Sequence, residues 1–199
     1  SGNMLFVKRE DLLPFSFGGN KARKAELFFQ DIEKQGSDCV VTYGSSSSNH
    51  CRIIANMASA KGIACYIIMP NEASEPTNNS SLINLFGAKV ILTSVSKVKD
   101  TIHETLIFLK REGFRPFFIQ GGGHGNNGTQ AYVDCYQEIK TQEDSLGIQF
   151  DYIFHASGTG TTQAGLICGK VIHRDTKRIV GISVARKNPH GSQVILDSI

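Results

Sequence analysis

Short runs of apolar and β-branched residues alternate with helical patterns along this chain. The six runs are residues 39–43, 64–69, 89–93, 116–119, 151–155 and 178–184. Short runs that are apolar at nearly every position are typical of parallel strands buried on both faces. Strands that alternate with helices are joined by right-handed crossovers in an open sheet. The sequence therefore predicts an α/β fold built on mostly parallel sheets with flanking helices.

Three of the segments between the runs have the spacing of an amphipathic helix. They are residues 25–32, 48–57 and 98–109, in which apolar residues recur three and four positions apart. A glycine follows each one, at positions 36, 62 and 113, and is expected to end the helix. The segment 136–149 is the most polar stretch between a helix and a strand, and we interpret it as a crossing between two lobes.

Charge and cysteine content exclude several functional classes. The 199 residues include 21 basic and 18 acidic side chains, scattered along the chain, for a net charge of +3. This pattern argues against nucleic-acid binding. No apolar run is long enough to cross a bilayer, so we expect no membrane association, and we predict no metal site. The five cysteines are an odd number with no close pair, which favours reduced thiols in a cytoplasmic protein.

Ligands of open α/β sheets bind beyond the carboxyl ends of the strands, so the turns that lead into helices are the places to search. At residues 17–24, two glycines precede a helix whose first turn carries Lys21 and Lys24. Cations at a helix N-terminus oppose the helix dipole. A bound anion, or a lysine kept partly neutral for attack on a carbonyl, accounts for them. A solvated basic helix start is the alternative.

A second turn, residues 42–50, is rich in hydroxyl groups. Four serines precede Asn49, although a helix N-cap needs one such residue. The surplus hydroxyls and the Asn49 amide suggest a polar pocket floor suited to a carboxylate or a phenolic oxygen. A flexible serine-rich loop is the alternative.

A third turn, residues 156–165, has the composition of a phosphate cradle. Glycines let the backbone approach an anion, and the helix N-terminus and hydroxyls supply donors. The turn lacks the Lys-Ser/Thr ending of a nucleoside triphosphate loop, and Gln163 stands where a dinucleotide motif has its third glycine. A monophosphate therefore fits better than a nucleotide, with an ordinary glycine-rich turn as the alternative. A fourth segment, 120–128, is expected to form a cleft wall, and its His124 is either an acid-base group or solvated.

Four segments, taken in order, resemble the 1-aminocyclopropane-1-carboxylate (ACC) deaminase and D-cysteine desulfhydrase family. They are KREDL at 8–12, GGNK at 18–21, SNH at 48–50 and GTGTTQAG at 158–165. The resemblance covers nearly the whole chain. It implies a pyridoxal-phosphate (PLP) enzyme of the tryptophan-synthase-β type, fold type II, with a smaller lobe of residues 37–126. Residues 1–36 and 127–199 would form the larger lobe, and we expect a homodimer.

The resemblance also assigns residues to the cofactor and the substrate. The cofactor residues are Lys21, Lys24, Asn49, Gly158, Thr159, Gly160, Thr161 and Thr162. Lys21 would be the Schiff-base lysine, Lys24 and the 158–162 loop would hold the phosphate, and Asn49 would bind the phenolic oxygen. The substrate would contact Ser48, Asn49 and His50, and Ser48 would share catalysis with Lys21.

The expected activity is β-elimination from a small amino acid such as D-cysteine, giving a 2-oxo acid and ammonia. Deaminases of the family tend to have glutamine where His50 follows Asn49 here, which favours the desulfhydrase branch over ACC deaminase. Relatives continue well beyond the position of Ile199 and supply the partner of the pyridine nitrogen from that segment. We therefore expect a fragment or a degenerate enzyme, weak or inactive by itself. A non-catalytic PLP-fold module and an unrelated nucleotide-binding domain are the alternatives, the latter disfavoured by the lack of an acidic ribose partner.

Overall fold

The computed structural model describes residues 2–199, and its strands coincide with the predicted runs to within two residues at each end. The strands are β1 (Cys39–Tyr43), β2 (Ala64–Pro70), β3 (Lys89–Thr93), β4 (Pro116–Phe118), β5 (Tyr152–Ser157) and β6 (Arg178–Ser183). The helices are α1 (Asn20–Gln35), α2 (Asn49–Ala60), α3 (Asn78–Leu85), α4 (Val98–Arg111), α5 (Asn126–Leu146), α6 (Thr161–Ile172) and α7 (His190–Leu196). The prediction of an α/β fold is confirmed.

The strands form two separate parallel sheets. The first has the order β3-β2-β1-β4, and Cys39 of β1 pairs with Ala64 on one side and Pro116 on the other. The second consists of β5 and β6, paired from Tyr152 with Arg178 onward. Since the carboxyl ends of parallel strands share one edge, the turns after β1 and β4 lie side by side.

Both faces of the first sheet are covered, which explains why its central strands are apolar at consecutive positions. Val40 and Ile67 pack with α1 and α2 on one face, and Val41 and Ile68 pack with Leu109 of α4 on the other. All five side chains are fully buried. Burying each of these aliphatic groups stabilises the fold by about 1.5–3 kcal/mol relative to exposure.

The interpretation of residues 136–149 as a crossing between lobes is wrong. Most of this segment is the C-terminal half of α5, which packs on α6 and α1. Tyr136, Ile139 and Glu143 recur three and four positions apart and are buried, so the segment has a helical core face. Its solvent face is polar, and that face dominated the composition. The helix ends at Gly147 in the left-handed conformation.

The outer face of β5 and β6 is apolar and exposed. Ile153 packs inward, so the alternating side chains of Tyr152 and Phe154 point away from the core. Phe154 is 64% exposed, and Ile182 of β6 is 57% exposed. The second sheet therefore has one face of apolar side chains exposed to solvent.

A buried ion-pair cluster ties the end of α5 to the strands of the second sheet. Glu143 is 1% exposed and lies 2.8 Å from both Lys140 and Lys177. Lys177, which precedes β6, is also buried and pairs with Asp175. The second Glu143 oxygen accepts from the Phe150 backbone N–H at 2.7 Å. One carboxylate therefore holds α5, the entry to β5 and the entry to β6 together.

Replacing Glu143 with glutamine is expected to lower the free energy of unfolding by about 2–3 kcal/mol, because Lys177 keeps a buried charge with one partner fewer. Urea unfolding of wild type and variant measures the difference. Glu104→Gln on α4 is the control, since it removes a carboxylate that is outside this cluster. Equal losses in the two variants would contradict the assigned role.

Candidate active site

Lys21 lies in the first turn of α1 with its amine directed at the glycine-rich segment after β4. Lys21 Nζ donates to the Gly122 carbonyl at 2.6 Å. Burial lowers the pKa of Lys21 to about 8. The expectation that the turn before Lys21 follows a strand is wrong. The chain instead passes through a 3-10 turn at Glu10–Leu12 and then loops into Gly19. Because the pKa of Lys21 is lowered to about 8, its neutral amine is accessible at moderate pH.

Lys24, one turn further along α1, is a buried lysine beside the start of α6. It is 2% exposed, and its Nζ donates to Thr161 Oγ1 at 2.6 Å. Burial, and then the charge of Lys21, hold the pKa of Lys24 well below its ordinary value. None of the ion pairs within residues 2–199 includes either lysine. Buried lysines are normally paired, so this position suits a bound anion.

The 158–162 loop carries the N-terminus of α6 to the two lysines. Gly160 is the N-cap residue, with a φ of 97° that favours glycine. Thr162 Oγ1 accepts from Asn20 Nδ2 of α1 at 3.4 Å, so the starts of α1 and α6 converge. The first backbone N–H groups of α6 have no acceptor within the helix. Free N–H groups beside a buried lysine are a favourable setting for a phosphate.

The glycine-rich segment after β4 forms the wall between these two helix starts. A Cβ on Gly122 would lie 2.8 Å from Thr159 Cγ2 and 3.5 Å from Lys21 Nζ. A Cβ on Gly121 would lie 2.8 Å from the Tyr43 ring. These approaches require glycine, which agrees with the predicted cleft wall. The contact with Lys21 comes from a backbone carbonyl of this wall and not from His124.

Ser48 is the N-cap of α2. Its Oγ accepts from the Cys51 backbone N–H at 3.2 Å. A hydroxyl that accepts in this way keeps its own proton for another acceptor. Ser48 therefore combines the predicted capping role with a donor that a ligand oxygen can use.

Asn49 is exposed, and its orientation follows from its neighbours. Asn79 of α3 donates from Nδ2 to the Ser47 carbonyl at 2.7 Å and accepts at Oδ1 from Arg52 at 3.0 Å. Because a carbonyl can only accept and a guanidinium can only donate, these two contacts fix which atom of the Asn79 amide is nitrogen and which is oxygen. The same Nδ2 donates to Asn49 Oδ1 at 3.0 Å. Asn49 therefore offers its own Nδ2 as a donor, as a contact to a phenolic oxygen requires.

His50 does not present its ring to a substrate as predicted. It is 3% exposed, and its Nε2 lies 2.8 Å from Thr42 Oγ1. Thr42 gives its single proton to the Ile119 carbonyl at 2.8 Å, so His50 Nε2 is the donor of the pair. Burial, followed by the charges of Lys21 and Lys24, lowers the pKa of His50 to about 3. The ring joins the ends of β1 and β4, and we correct its role to one of support.

The neutral, buried His50 predicts a loss of stability in acid. In the unfolded chain His50 is protonated below about pH 6.5, whereas in the folded protein it stays neutral down to about pH 3. Between these values the free energy of unfolding falls by up to about 1.4 kcal/mol for each unit by which the pH is lowered. His50→Gln keeps a donor for Thr42 but does not titrate. Between pH 7 and 4.5 we expect wild type to lose about 2.5 kcal/mol more than this variant in urea unfolding. Parallel losses would show that His50 takes up its proton while folded.

Sequence reasoning assigned no role to Thr42 or Asn79, and it placed Gly122 in a cleft wall without its contact to Lys21. Asn79 lies on α3, whose start carries a Thr77–Ser80 capping box, a signal that was available in the sequence. Thr42 and Gly122 act through contacts between segments about 77 and 101 positions apart. No local pattern reports such contacts.

Neither a cluster of metal ligands nor a helix able to cross a membrane is present in the described part of the chain. Among residues 2–199, no three His, Cys, Asp or Glu side chains are grouped so that they could hold a metal ion. In the same part of the chain, no helix has both the length and the apolar character needed to cross a membrane.

Comparison with known proteins finds relatives of this chain. D-cysteine desulfhydrase of Serratia proteamaculans is 34% identical over 193 residues, which are 94% of this chain and 58% of the relative. D-cysteine desulfhydrase of Yersinia enterocolitica is 32% identical over the same shares. The solved structure of an ACC deaminase homologue matches with a TM-score of 0.85 at 31% identity, covering 96% of this chain and 60% of that one.

These matches confirm the predicted fold type, and the chain spans about 58% of the length of the curated relatives it matches. A solved threonine deaminase is 17% identical with a TM-score of 0.65, which shows the fold alone. The model of the pyridoxal-phosphate dependent enzyme family matches residues 1–198. The chain belongs to the family of pyridoxal-phosphate dependent enzymes.

Proposed function

We propose that this chain carries the PLP site of an enzyme that eliminates sulfide from D-cysteine or a similar small amino acid. The observation that carries the proposal is the pair of lysines at the free N-terminus of α6, Lys21, which is partly buried, and Lys24, which is fully buried. One lysine has a pKa lowered enough to react as an amine. The other is buried without a carboxylate partner and suits a phosphate.

The residues present fit PLP. Lys21 would hold the aldehyde carbon, and Lys24 with the N–H groups of the 158–162 loop would hold the phosphate. Asn49 Nδ2 would donate to the phenolic oxygen. When bound, PLP supplies a ring that withdraws electrons and stabilises negative charge on a substrate carbon.

Lys21 is suited to attack and to proton transfer. With a pKa of about 8, about one Lys21 amine in ten is neutral at pH 7, against fewer than about one in a thousand for an ordinary lysine. The Gly122 carbonyl accepts from this amine and orients it. Lys21 would take the proton from the α carbon of the substrate, and burial limits competition from water.

Ser48 supplies the substrate contact. Its hydroxyl proton is available because the helix cap uses only an oxygen lone pair, and a carboxylate is a strong acceptor for it. We propose that Ser48 binds the substrate carboxylate and thereby directs the α carbon to Lys21. His50 supports the site from behind through Thr42.

The relatives support the choice of reaction. Those at 32–34% identity are D-cysteine desulfhydrases, and the elimination converts D-cysteine and water into a 2-oxo acid, ammonia and sulfide. The ACC deaminase homologue at 31% identity favours a second candidate, opening of the cyclopropane ring of ACC. The two differ at the reacting carbon, since D-cysteine has an α proton for Lys21 to remove and ACC has none.

The test assays the full-length protein, loaded with PLP, for sulfide from D-cysteine and for 2-oxobutanoate from ACC. We expect faster sulfide release, and a loss of kcat/KM in Ser48→Ala that exceeds the loss in Ser47→Ala. Ring opening faster than sulfide release would overturn the choice of substrate. Product from neither substrate would favour the non-catalytic module or another small amino acid.

We also propose the lobe boundaries, the assembly and the location. A lobe of residues 37–126 contains the whole first sheet, and the rest of the chain contains the second. A homodimer is the proposed assembly. The cytoplasmic location is supported by the five free cysteines, four of them buried, because unpaired cysteines are usual in a reducing compartment.

A further inference from the structure

The segment at residues 8–12 has no role in the site described so far, although Glu10 within it has unusually many partners. Its carboxylate accepts from Arg23 through Nε at 2.9 Å and Nη2 at 2.8 Å, and from the Tyr132 hydroxyl at 3.1 Å. Arg23 belongs to α1 and Tyr132 to α5. Glu10 therefore joins α1, which carries Lys24, to α5.

The Glu10 backbone holds the turn before Lys21 at the same time. Its carbonyl accepts from the Gly19 N–H at 2.7 Å. A Cβ on Gly18 would lie 2.4 Å from that carbonyl oxygen, so the glycine packs directly on Glu10. Gly18 and Gly19 have φ values of 60° and 90°. The path of residues 18–21 thus depends on Glu10, whose carboxylate is held by Arg23 and Tyr132 while its backbone carbonyl contacts Gly18 and Gly19.

We propose that Glu10 is a positioning residue for Lys21: its bidentate pair with Arg23 fixes the 18–21 turn and so keeps the Lys21 amine buried against Gly122. The proposal rests on the proposed role of Lys21 as the cofactor lysine. Glu10 does not touch the reacting atoms. It acts through the backbone of the turn. The Glu10 carbonyl holds the Gly19 N–H at the start of the turn, and the Glu10 carboxylate holds Arg23, which follows the turn on α1.

The consequence is a change in the titration of Lys21. Burial is what depresses its pKa to about 8, so a turn that loosens and admits water returns the amine toward its ordinary value of about 10.4. Burial is the only cause of the lowered pKa of Lys21, and the titratable groups whose pKa values respond to the Lys21 charge are Lys24 on its own helix and His50 on α2. Both residues are unchanged in the variants below, so a difference in the Lys21 midpoint between variants indicates a change in the conformation of the 18–21 turn.

The experiment measures acylation of individual lysines of residues 1–199 without PLP, from pH 6 to 11, by peptide mapping. In wild type we expect half-maximal reactivity of Lys21 near pH 8. In Glu10→Gln we expect this midpoint to rise by about one pH unit or more. Arg23→Lys breaks the same bidentate pair from the other side and should shift the midpoint in the same direction.

Glu138→Gln is the matched control. Glu138 also accepts from Arg23, at 2.6 and 3.0 Å, but it is half exposed and is not a partner of the 18–21 turn. Its variant should keep the wild-type Lys21 midpoint. Far-UV circular dichroism determines whether each variant is folded. If Glu10→Gln is not folded, Arg23→Lys provides the test.

An unchanged Lys21 midpoint in folded Glu10→Gln or Arg23→Lys would overturn the proposal. An equal rise in Glu138→Gln would also overturn it, because the effect would then be a general loss of charge around Arg23. The measurement contains no PLP, so its failure leaves the proposed function standing. Conversely, covalent PLP on another lysine would refute the proposed function whatever the Glu10 variants show.

Discussion

Lys21→Ala is expected to abolish the covalent attachment of PLP and all measurable turnover. The physical reason is that a neutral amine of lowered pKa, oriented by the Gly122 carbonyl, is needed to attack the cofactor carbonyl. The second lysine of the site has its amine directed at Thr161 instead. Borohydride reduction of protein incubated with PLP, followed by peptide mapping, locates the modified lysine.

Lys24→Ala is the matched variant, one helical turn away. It removes a buried cation from the proposed phosphate site and leaves Lys21 in place, so we expect PLP to bind about 10- to 100-fold more weakly while still attaching to Lys21. Spectrophotometric titration with PLP measures the affinity. Label on Lys24 in the wild type, or attachment in Lys21→Ala, would show that the two roles are assigned to the wrong residues.

Gly158→Asp is expected to lower PLP affinity by about 1000-fold. Unit charges 4 Å apart at an effective dielectric constant of 20 interact by about 4 kcal/mol, which corresponds to that factor. A Cβ at Gly158 meets no atom within 4 Å, so the side chain enters open space at the start of α6. The loss would therefore report repulsion between a carboxylate and the phosphate.

Gly158→Asn provides the control, because it has nearly the same size and no charge. It should retain most of the affinity. Gly160 is unsuitable for this test, since its φ is 97° and a Cβ there would lie 2.9 Å from the Val194 carbonyl oxygen, so any side chain would disturb the fold. Equal losses in the Asp and Asn variants of Gly158 would indicate a steric effect, and equal retention would place the phosphate elsewhere.

Much of the fold was predictable because each element carries a local pattern. The strands of the first sheet are apolar at consecutive positions since both faces are covered, and Gly36 ends α1 in the left-handed conformation expected of such a glycine. The prediction failed at residues 136–146, where a polar solvent face concealed a helix that also buries Tyr136. It also missed α3, which is short and mostly polar.

The sequence by itself determined the chemical groups of the candidate site: Lys21 and Lys24 on one helix start, Ser48 and Asn49 on another, and glycines with threonines on a third. It determined the α/β fold for the same reason, since composition and periodicity are local properties. Only the tertiary structure decided which groups meet. The contacts of Lys21 with Gly122, of Thr42 with Ile119 and of Tyr132 with Glu10 join segments 101, 77 and 122 positions apart in the chain. Burial and long-range hydrogen bonding set the pKa values and orientations of these groups, and both depend on how the chain packs.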